Sequence, residues 1–288
     1  MKILSKNKPI DNIIRLILLN LSLLCLVFFS HPIFAKEQRI VSIGGDLTEI
    51  IYALGADDKL VARDSTSISP EQVLKLPDVG YMRMLNAEGI LAQKPDLIIA
   101  SEDAGPASVF TQLNAVNANV LRVTSEKSVE STREKIIALG NALDLKDKAS
   151  ILIGQFDEEL SQVTTSPLGV KAVFILTFEG AEASVAGTQT APDAMFNYIG
   201  IKNAAQSMTR YQKFSAEGMA AMNPDVIVVS KRGIDKLGED KIWELPGVNA
   251  TLAGKHKKLI VVDDIGFLGF TLQTPNTLKD FRLALEAL

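Results

Sequence analysis

A 17-residue pattern that occurs twice in the chain constrains its fold more than any other feature. The copies are residues 85–101 and 214–230, and eight of the 17 positions are identical. Each copy predicts a short capped helix, a Pro-Asp break and a short apolar strand. Chance reuse of such units is the alternative, but the ungapped Glu, Gly, Pro and Asp matches favour duplication. We therefore predict two similar α/β lobes with a ligand cleft between them.

The matched acidic residues of the repeat have two interpretations. Glu88 and Glu217 both fall in the first turn of a predicted helix, where a negative charge commonly stabilises the helix dipole. The functional interpretation is a symmetric pair of charges on the rims of the two lobes. Such a pair is suited to two basic sites on a two-fold symmetric partner.

Residues 1–35 are predicted to form a secretory signal peptide. Basic residues precede an apolar stretch at 16–29, and the small residue Ala35 indicates cleavage before Lys36. A retained membrane anchor is the alternative, but the stretch is short for a full span. Cys25 raises the question of a lipid anchor, which Leu24 directly before it disfavours. We therefore expect a periplasmic protein without a lipid anchor.

Cleavage would leave a chain with few groups for covalent chemistry. The mature chain has no cysteine and one histidine, His256, in a basic turn that predicts a solvated side chain. Disulfides, a thiol nucleophile and a Cys/His zinc site are thereby excluded. With 26 basic and 33 acidic residues its net charge is near −7, so nucleic acid is not an expected partner. We expect a monomer.

The order of predicted elements divides the mature chain into three parts. We predict an N-terminal α/β lobe at 36–145, a bridging helix at 146–166 and a C-terminal α/β lobe at 167–288. Residues 129–163 have helical periodicity with a break near Leu145. Because a helical bridge is stiffer than a loop, we expect little opening of the cleft. Besides the two repeat strands at 97–100 and 226–230, strands are predicted at 39–43, 59–62, 172–177 and 258–262.

Ligands of open α/β sheets bind beyond the carboxyl ends of the strands, which selects particular loops. These loops are 44–46, 63–66, 80–83, 102–106, 180–190 and 231–233. Tyr81 lies in one of them, beside Arg83 and between Met82 and Met84. A nearby guanidinium favours phenolate, which suits ferric iron, and methionines provide apolar contact to a flat macrocycle. Taken alone, Tyr81 is better explained as an ordinary half-buried tyrosine with a satisfied hydroxyl.

Two further side chains are candidates for roles in the cleft. Arg232 follows the second repeat strand, so it is placed to pair with a ligand carboxylate or with the Tyr81 oxygen; a solvated arginine is the alternative. Tyr211 lies six residues before Glu217 and is the rival phenol, although no Gly turn precedes it.

No arrangement typical of an enzyme is present in the sequence. Glu102 and Asp103 are adjacent carboxylates, and adjacent side chains usually point apart, which disfavours a general acid/base pair. The chain has no G-x-S-x-G, P-loop or H-E-x-x-H motif. We therefore expect no catalytic activity; a secreted enzyme using Glu102 or Asp103 is the distant alternative.

The element Gly80-Tyr81-Met82-Arg83, together with Ala186-Gly187-Thr188 and the repeated Ala-Glu-Gly and Pro-Asp elements, resembles the periplasmic haem-binding proteins of bacterial haem ABC importers. The resemblance covers essentially the whole mature chain. The Glu and Pro-Asp elements are shared with cobalamin- and ferric-siderophore-binding relatives. The Gly-Tyr-Met-Arg and Ala-Gly-Thr elements point more narrowly to haem.

The resemblance implies two α/β lobes with central parallel sheets, joined by a long rigid helix, with haem b as the transported ligand in the cleft. It implies Tyr81 as the axial ligand of the iron, Arg83 and Arg232 as haem-binding arginines, and Glu88 and Glu217 as docking residues for the permease dimer of an inner-membrane ABC transporter. Some family members add a histidine around 177–180, which this sequence lacks. We therefore expect five-coordinate ferric haem; a weaker single-haem site, another tetrapyrrole, or a cobalamin or ferric-siderophore carrier are the alternatives.

Overall fold

The computed structural model describes residues 38–177 and 182–288. The predicted signal peptide, its cleavage site and Cys25 lie outside the described residues, as do residues 178–181 of one predicted cleft loop. Among the described helices, none is long and apolar enough to cross a membrane.

The first lobe is a parallel sheet with its strands in the order β2-β1-β3-β4. The strands are β1 (Ile40–Ile43), β2 (Leu60–Arg63), β3 (Leu97–Ser101) and β4 (Val120–Val123). The two central strands, β1 and β3, are buried along their whole length, as expected for continuous apolar runs in a parallel sheet with both faces covered. The covering helices are α1 (Gly45–Ala53), α2 (Ala87–Ala92), α3 (Ala107–Ala115) and α4 (Val129–Ala142), with 3-10 turns at Asp57–Lys59 and Glu71–Lys75.

Helix α5 (Lys146–Ser161) belongs to both lobes. Near its start, Ala149 is buried in the core of the first lobe beside Ile136 of α4. Near its end, Phe156 and Leu160 are buried in the core of the second lobe. One helix therefore contributes to both hydrophobic cores, as expected of a rigid connection between the lobes.

The second lobe has a mixed sheet in which β10, β9, β5 and β7 pair in parallel, as expected for a central parallel sheet. Its order is β10-β9-β5-β6-β8, with β7 beside β5, and β6 runs antiparallel to both β5 and β8. The strands are β5 (Lys171–Leu176), β6 (Ser184–Ala186), β7 (Lys202–Asn203), β8 (Tyr211–Lys213), β9 (Val226–Ser230) and β10 (Leu259–Val262). The helices are α6 (Ala191–Tyr198), α7 (Ala216–Met222), α8 (Lys231–Leu237), α9 (Glu239–Glu244), α10 (Leu252–His256), α11 (Asp264–Gly269) and α12 (Thr274–Glu286), with a 3-10 turn at Val248–Ala250.

The repeated sequence folds the same way in both lobes, which confirms the predicted helix-turn-strand unit. The first copy is α2 followed by β3, and the second is α7 followed by β9. Asn86 caps α2 by accepting a hydrogen bond from the Gly89 N–H at 2.6 Å, and Ser215 caps α7 by accepting one from the Gly218 N–H at 3.1 Å. Both copies therefore begin with the same capping geometry.

The Pro-Asp element has the same structural task in each copy. The Asp96 carboxylate accepts a hydrogen bond from the Arg39 N–H at 3.0 Å, directly before β1. The Asp225 carboxylate accepts one from the Lys171 N–H at 2.8 Å, at the start of β5. In both lobes the aspartate thus fixes the repeat strand against its central neighbour, which accounts for its presence in both copies.

Buried polar contacts join the lobes beneath the cleft. Lys135 of α4 is only 1% exposed, and its Nζ lies 2.7 Å from a carboxylate oxygen of Asp46 in α1. The same ammonium lies 3.5 Å from the carbonyl oxygen of Phe270, which also accepts a hydrogen bond from Thr132 at 3.2 Å. Phe270 belongs to the core of the second lobe, so these contacts connect α1 and α4 to it.

Candidate functional site

A cavity of about 480 Å³ lies at the carboxyl ends of the strands, lined by residues of both lobes. Its volume falls within the range usual for small-molecule sites. Most loops that the strand-end rule selects do line it, through residues such as Asp46, Thr66, Asp103 and Arg232. Residues 182–190 of the predicted loop 180–190 are not part of the lining.

Tyr81 is held in the cavity wall by the turn before it. Residues 77–80 run alongside the end of β2: the Arg63 N–H donates to the Pro77 carbonyl at 3.0 Å, and the Val79 N–H donates to the Arg63 carbonyl at 2.9 Å. Gly80 has φ +102°, a backbone angle that favours glycine and turns the chain into the cleft. Tyr81 is 43% exposed, so its phenol is accessible from the cavity.

Arg83, rather than Arg232, lies near the Tyr81 hydroxyl. Arg83 Nη1 is 3.5 Å from the phenolic oxygen, at the long limit of a hydrogen bond. Among the described residues, the Tyr81 hydroxyl receives no hydrogen bond from Arg232. Met82 lines the cavity as expected, whereas Met84 is 77% exposed and lies outside the lining, which corrects its expected contact with a macrocycle.

Asp103 lies between two cations of the first lobe. Its Oδ2 is 3.3 Å from Lys127 Nζ and 3.7 Å from Arg83 Nη2, and its Oδ1 accepts a hydrogen bond from the Ser125 hydroxyl at 3.0 Å. Burial alone would raise the pKa of Asp103. The nearby Lys127, Ser125 and Arg83 outweigh burial and hold that pKa below its usual value.

The second lobe contributes a free cation and an apolar wall. Arg232 stands in the first turn of α8, where its backbone N–H donates to the Asp264 carboxylate at 2.9 Å. Its exposed guanidinium has no carboxylate partner among the residues that the structure describes. The apolar wall beside it consists of Leu176, Ile265 and Leu268.

The cavity is more positive than the acidic chain around it. Its lining contains four cationic side chains and three carboxylates. One of these carboxylates, Asp46, is already paired with the buried Lys135. Positive charge beside an apolar wall suits a largely apolar ligand that carries carboxylates. The cationic residues are Arg83, Lys127, Arg232 and Lys236.

Tyr211 lies on β8 and is not part of the cavity lining. Although 40% of its surface is accessible, burial raises the pKa of Tyr211 to about 12, and the positive charge of Arg83 opposes this only in part. Burial thus disfavours the phenolate form of Tyr211. Because an iron ligand must be a phenolate, the surroundings of Tyr211 disfavour that role.

The remaining acidic candidates lie away from the cavity. Glu88 and Glu217 are exposed in the first turns of α2 and α7, and neither forms an ion pair among the described residues. Hydrogen bonds from its own backbone N–H and from Ser215 lower the pKa of Glu217. Glu102 is exposed outside the lining while Asp103 lines it, so the adjacent carboxylates do point apart. Within residues 38–177 and 182–288, His, Cys, Asp and Glu form no group of three suited to a metal ion.

Two solved structures share this architecture over nearly their whole length. The apo form of the periplasmic heme-binding protein RhuT from Roseiflexus sp. RS-1 is 32% identical, with a TM-score of 0.82 over 88% of this chain and 99% of that chain. The periplasmic heme-binding protein BhuT in complex with two hemes is 33% identical, with a TM-score of 0.81 over 87% of this chain and 98% of that chain.

Curated relatives match at similar identity but carry different names. The ABC transporter substrate-binding lipoprotein YvrC of Bacillus subtilis (strain 168) is 30% identical over 235 residues, 79% of this chain and 73% of the relative. The vitamin B12-binding protein of Vibrio parahaemolyticus is 28% identical over 229 residues, 77% of this chain and 82% of the relative.

The model of the periplasmic binding protein family matches residues 40–265, which include both sheets and the bridging helix. The match agrees with the two-lobed fold and with the interlobe cavity. This chain therefore belongs to the periplasmic binding protein family, as a non-enzymatic, extracytoplasmic solute-binding component of an ABC importer.

Proposed function

We propose that the mature chain, beginning at Lys36 after signal-peptide cleavage, captures haem and delivers it to an inner-membrane ABC importer. Haem combines a flat apolar ring, an iron atom and two carboxylates. The observation that carries the proposal is that Tyr81, Arg83 and Arg232, from both lobes, line a single cavity with an apolar wall. The phenol suits ferric iron and the arginines suit the carboxylates.

In this proposal Tyr81 is the protein's axial ligand to the haem iron. Arg83 donates a hydrogen bond toward the phenolic oxygen, and Arg232 pairs with a ligand carboxylate from the opposite lobe. Residues 177–180 contain no histidine in the sequence. The haem is therefore expected to be five-coordinate and ferric, with Tyr81 as the one protein ligand.

The names of the similar proteins support two candidate ligands. The structural neighbours RhuT and BhuT are named as heme-binding proteins, whereas the Vibrio parahaemolyticus relative is named for vitamin B12. Cobalamin is thus the second candidate, and a ferric siderophore is the third ligand class of these importers. Arg232, whose guanidinium lines the cavity without a carboxylate partner among the described residues, favours haem, because haem presents carboxylates while most polar substituents of cobalamin are amides.

A haemin titration followed by visible absorption tests the proposal. We expect saturable binding with a high-spin ferric tyrosinate-type spectrum. For Tyr81→Phe we expect that spectrum to disappear and the affinity to fall at least as far as the roughly 10- to 100-fold loss typical of removing a group that supports a metal ligand. Tyr211→Phe is the matched control and should retain both spectrum and affinity.

Two results would redirect the assignment. A wild-type protein that leaves the haemin spectrum unchanged but binds cyanocobalamin or a ferric siderophore would exclude haem as the cargo. A tyrosinate spectrum that survives in Tyr81→Phe and disappears in Tyr211→Phe would keep haem but transfer the ligand role to Tyr211.

We further infer that Glu88 and Glu217 dock the protein on the two permease subunits of the importer. Both are exposed, both stand in the first turn of a repeat helix, and neither is neutralised by an ion pair among the described residues. Two equivalent negative sites on two similar lobes complement two equivalent basic sites on a two-fold symmetric permease.

A further inference from the structure

We propose that Asp103 is an internal counter-ion of the cleft, occupying the place that a ligand carboxylate takes when it binds between Arg83 and Lys127. The inference rests on the proposed function, because the displacing groups are the carboxylates of haem. It assigns Lys127 to the ligand site and makes Asp103 a residue that limits affinity for carboxylate-bearing ligands.

The geometry around Asp103 is that of a carboxylate-binding site already filled. Two cationic side chains approach the same oxygen, Oδ2, at 3.3 Å from Lys127 Nζ and at 3.7 Å from Arg83 Nη2. The other oxygen accepts a hydrogen bond from the Ser125 hydroxyl. Asp103, Arg83 and Lys127 all line the cavity, so a ligand reaches the same cations from the open side.

The ion pairs are weak enough to be exchanged. The side chains of Arg83, Asp103 and Lys127 are 59%, 37% and 34% exposed, and pairs with that much contact to water contribute little stability. Because the pKa of Asp103 is held below its usual value, its carboxylate remains charged at neutral pH and competes at all times with other anions.

Arg83 connects this competition to the proposed iron ligand. The same guanidinium lies 3.5 Å from the Tyr81 hydroxyl and 3.7 Å from Asp103. A ligand held at Tyr81 would therefore bring its carboxylates beside the cation that Asp103 occupies. Anchoring at the iron gives the ligand carboxylate a high local concentration, which lets it displace the weakly held Asp103.

A purely positioning role for Asp103 predicts the opposite effect on binding. If the carboxylate serves to orient Arg83 and Lys127 toward the cavity, removing its charge should weaken haemin binding. If it is a competing counter-ion, removing its charge should strengthen binding. Asp103→Asn separates the two roles because asparagine keeps the shape of the side chain and an oxygen for Ser125.

The experiment compares haemin dissociation constants of the wild type, Asp103→Asn and Glu102→Gln. Glu102 is the matched control, since it is an exposed carboxylate one residue away and outside the cavity lining. Asp103→Asn removes two exposed ion pairs, so we expect this variant to bind haemin about two- to thirtyfold more tightly than the wild type. Glu102→Gln should stay within about twofold of the wild type, as is usual for exposed charges away from a site.

Two additional measurements bear on the mechanism. With haemin dimethyl ester, in which both carboxylates are blocked, the gain of Asp103→Asn should disappear. In the background of Lys127→Gln the gain should shrink, because one of the two released cations is absent. A gain that persists with the ester would show that carboxylate competition is not its cause and would overturn the inference.

The outcomes separate the inference from the proposed function. Haemin binding by the wild type with equal or weaker binding by Asp103→Asn overturns the counter-ion role alone. Equal gains from Asp103→Asn and Glu102→Gln also overturn it, since they indicate a general effect of net charge. A wild type that does not bind haemin overturns both proposals.

Discussion

Two charged side chains buried where the lobes meet have unequal surroundings. Lys135 has a carboxylate partner in Asp46 at 2.7 Å. Glu49, which is 8% exposed, receives a hydrogen bond from Gln273 at 3.4 Å, but its second carboxylate oxygen has no partner among the described residues. Burial therefore raises the pKa of Glu49; hydrogen bonds from residues 271–273 oppose the shift, and Asp46 adds to it.

The raised pKa of Glu49 predicts that the stability of the protein depends on pH. Because its pKa is raised in the folded state, the folded protein binds more protons than the unfolded chain at pH values just above 4.5, so stability falls as the pH rises through that window. Glu49→Gln should remove the cost of an ionised, partly unpaired carboxylate. We expect a higher melting temperature than that of the wild type at pH 7.5, and a difference that shrinks as the pH falls toward 4.5.

Thermal unfolding of both proteins between pH 4 and pH 8 measures this effect. Asp57→Asn, which changes an exposed carboxylate on the same lobe, controls for net charge. A melting-temperature difference for Glu49→Gln that is constant across the pH range would contradict the assigned burial cost.

At the scale of elements, the two copies of the repeat have equivalent helix caps, so a substitution in one copy can be compared with the residue that the other copy has. Asn86 and Ser215 are equivalent caps of α2 and α7, with hydrogen bonds of 2.6 and 3.1 Å to the N–H three residues later. Ser215→Ala should lower the free energy of unfolding by about 1 kcal/mol, the usual cost of losing an N-cap. Ser215→Asn should remain near the wild-type value because it installs the cap of the first copy.

Urea denaturation measures the free energies of unfolding of these two variants. Equal losses in Ser215→Ala and Ser215→Asn would show that the repeat helices are not interchangeable at their caps. The haemin affinity of both variants should be unchanged, since Ser215 lies outside the cavity lining.

The sequence predicted the strands that contain a continuous apolar run and missed the others. β1, β2, β3, β5, β9 and β10 correspond to predicted strands, because a continuous apolar run is the pattern of a buried parallel strand. β4 is largely half-buried and β8 is fully exposed, so neither shows such a run. The antiparallel partners of β6 depend on pairing between distant segments, which local periodicity does not report.

A missed strand also concealed part of the candidate site. Tyr81, Arg83 and Arg232 follow elements that the sequence indicates, and all three line the cavity. Lys127 lies in the loop after β4, so without that strand no rule assigned its loop to the cleft. The strand-end rule would have found Lys127 if the half-buried run Val120–Val123 had been accepted as an edge strand.

At the scale of the whole molecule, the proposed docking residues predict a defect in transport without a defect in binding. Glu88→Gln and Glu217→Gln should each reduce haemin transport by the cognate importer in proteoliposomes by on the order of tenfold, with a larger loss in the double variant, because each removes a charge that complements the permease. Haemin affinity should stay unchanged, since both side chains lie outside the cavity lining.

Glu158→Gln is the matched control for the docking variants, because it neutralises an exposed glutamate on α5. Full transport by the double variant Glu88→Gln/Glu217→Gln would rule out docking through these residues. A parallel loss of haemin affinity would instead assign the defect to the cleft.

Helix α5, with one end in each hydrophobic core, has a consequence for selection by shape. Since a helix that is buried at both ends resists bending, we expect the gap between the two sheets to keep a nearly constant width. A planar ring enters such a gap edge-on, whereas a ring with bulky groups on both faces meets the opposite wall first. The thickness of a ligand would then decide whether it enters the cleft, and charge would discriminate only among the ligands thin enough to fit.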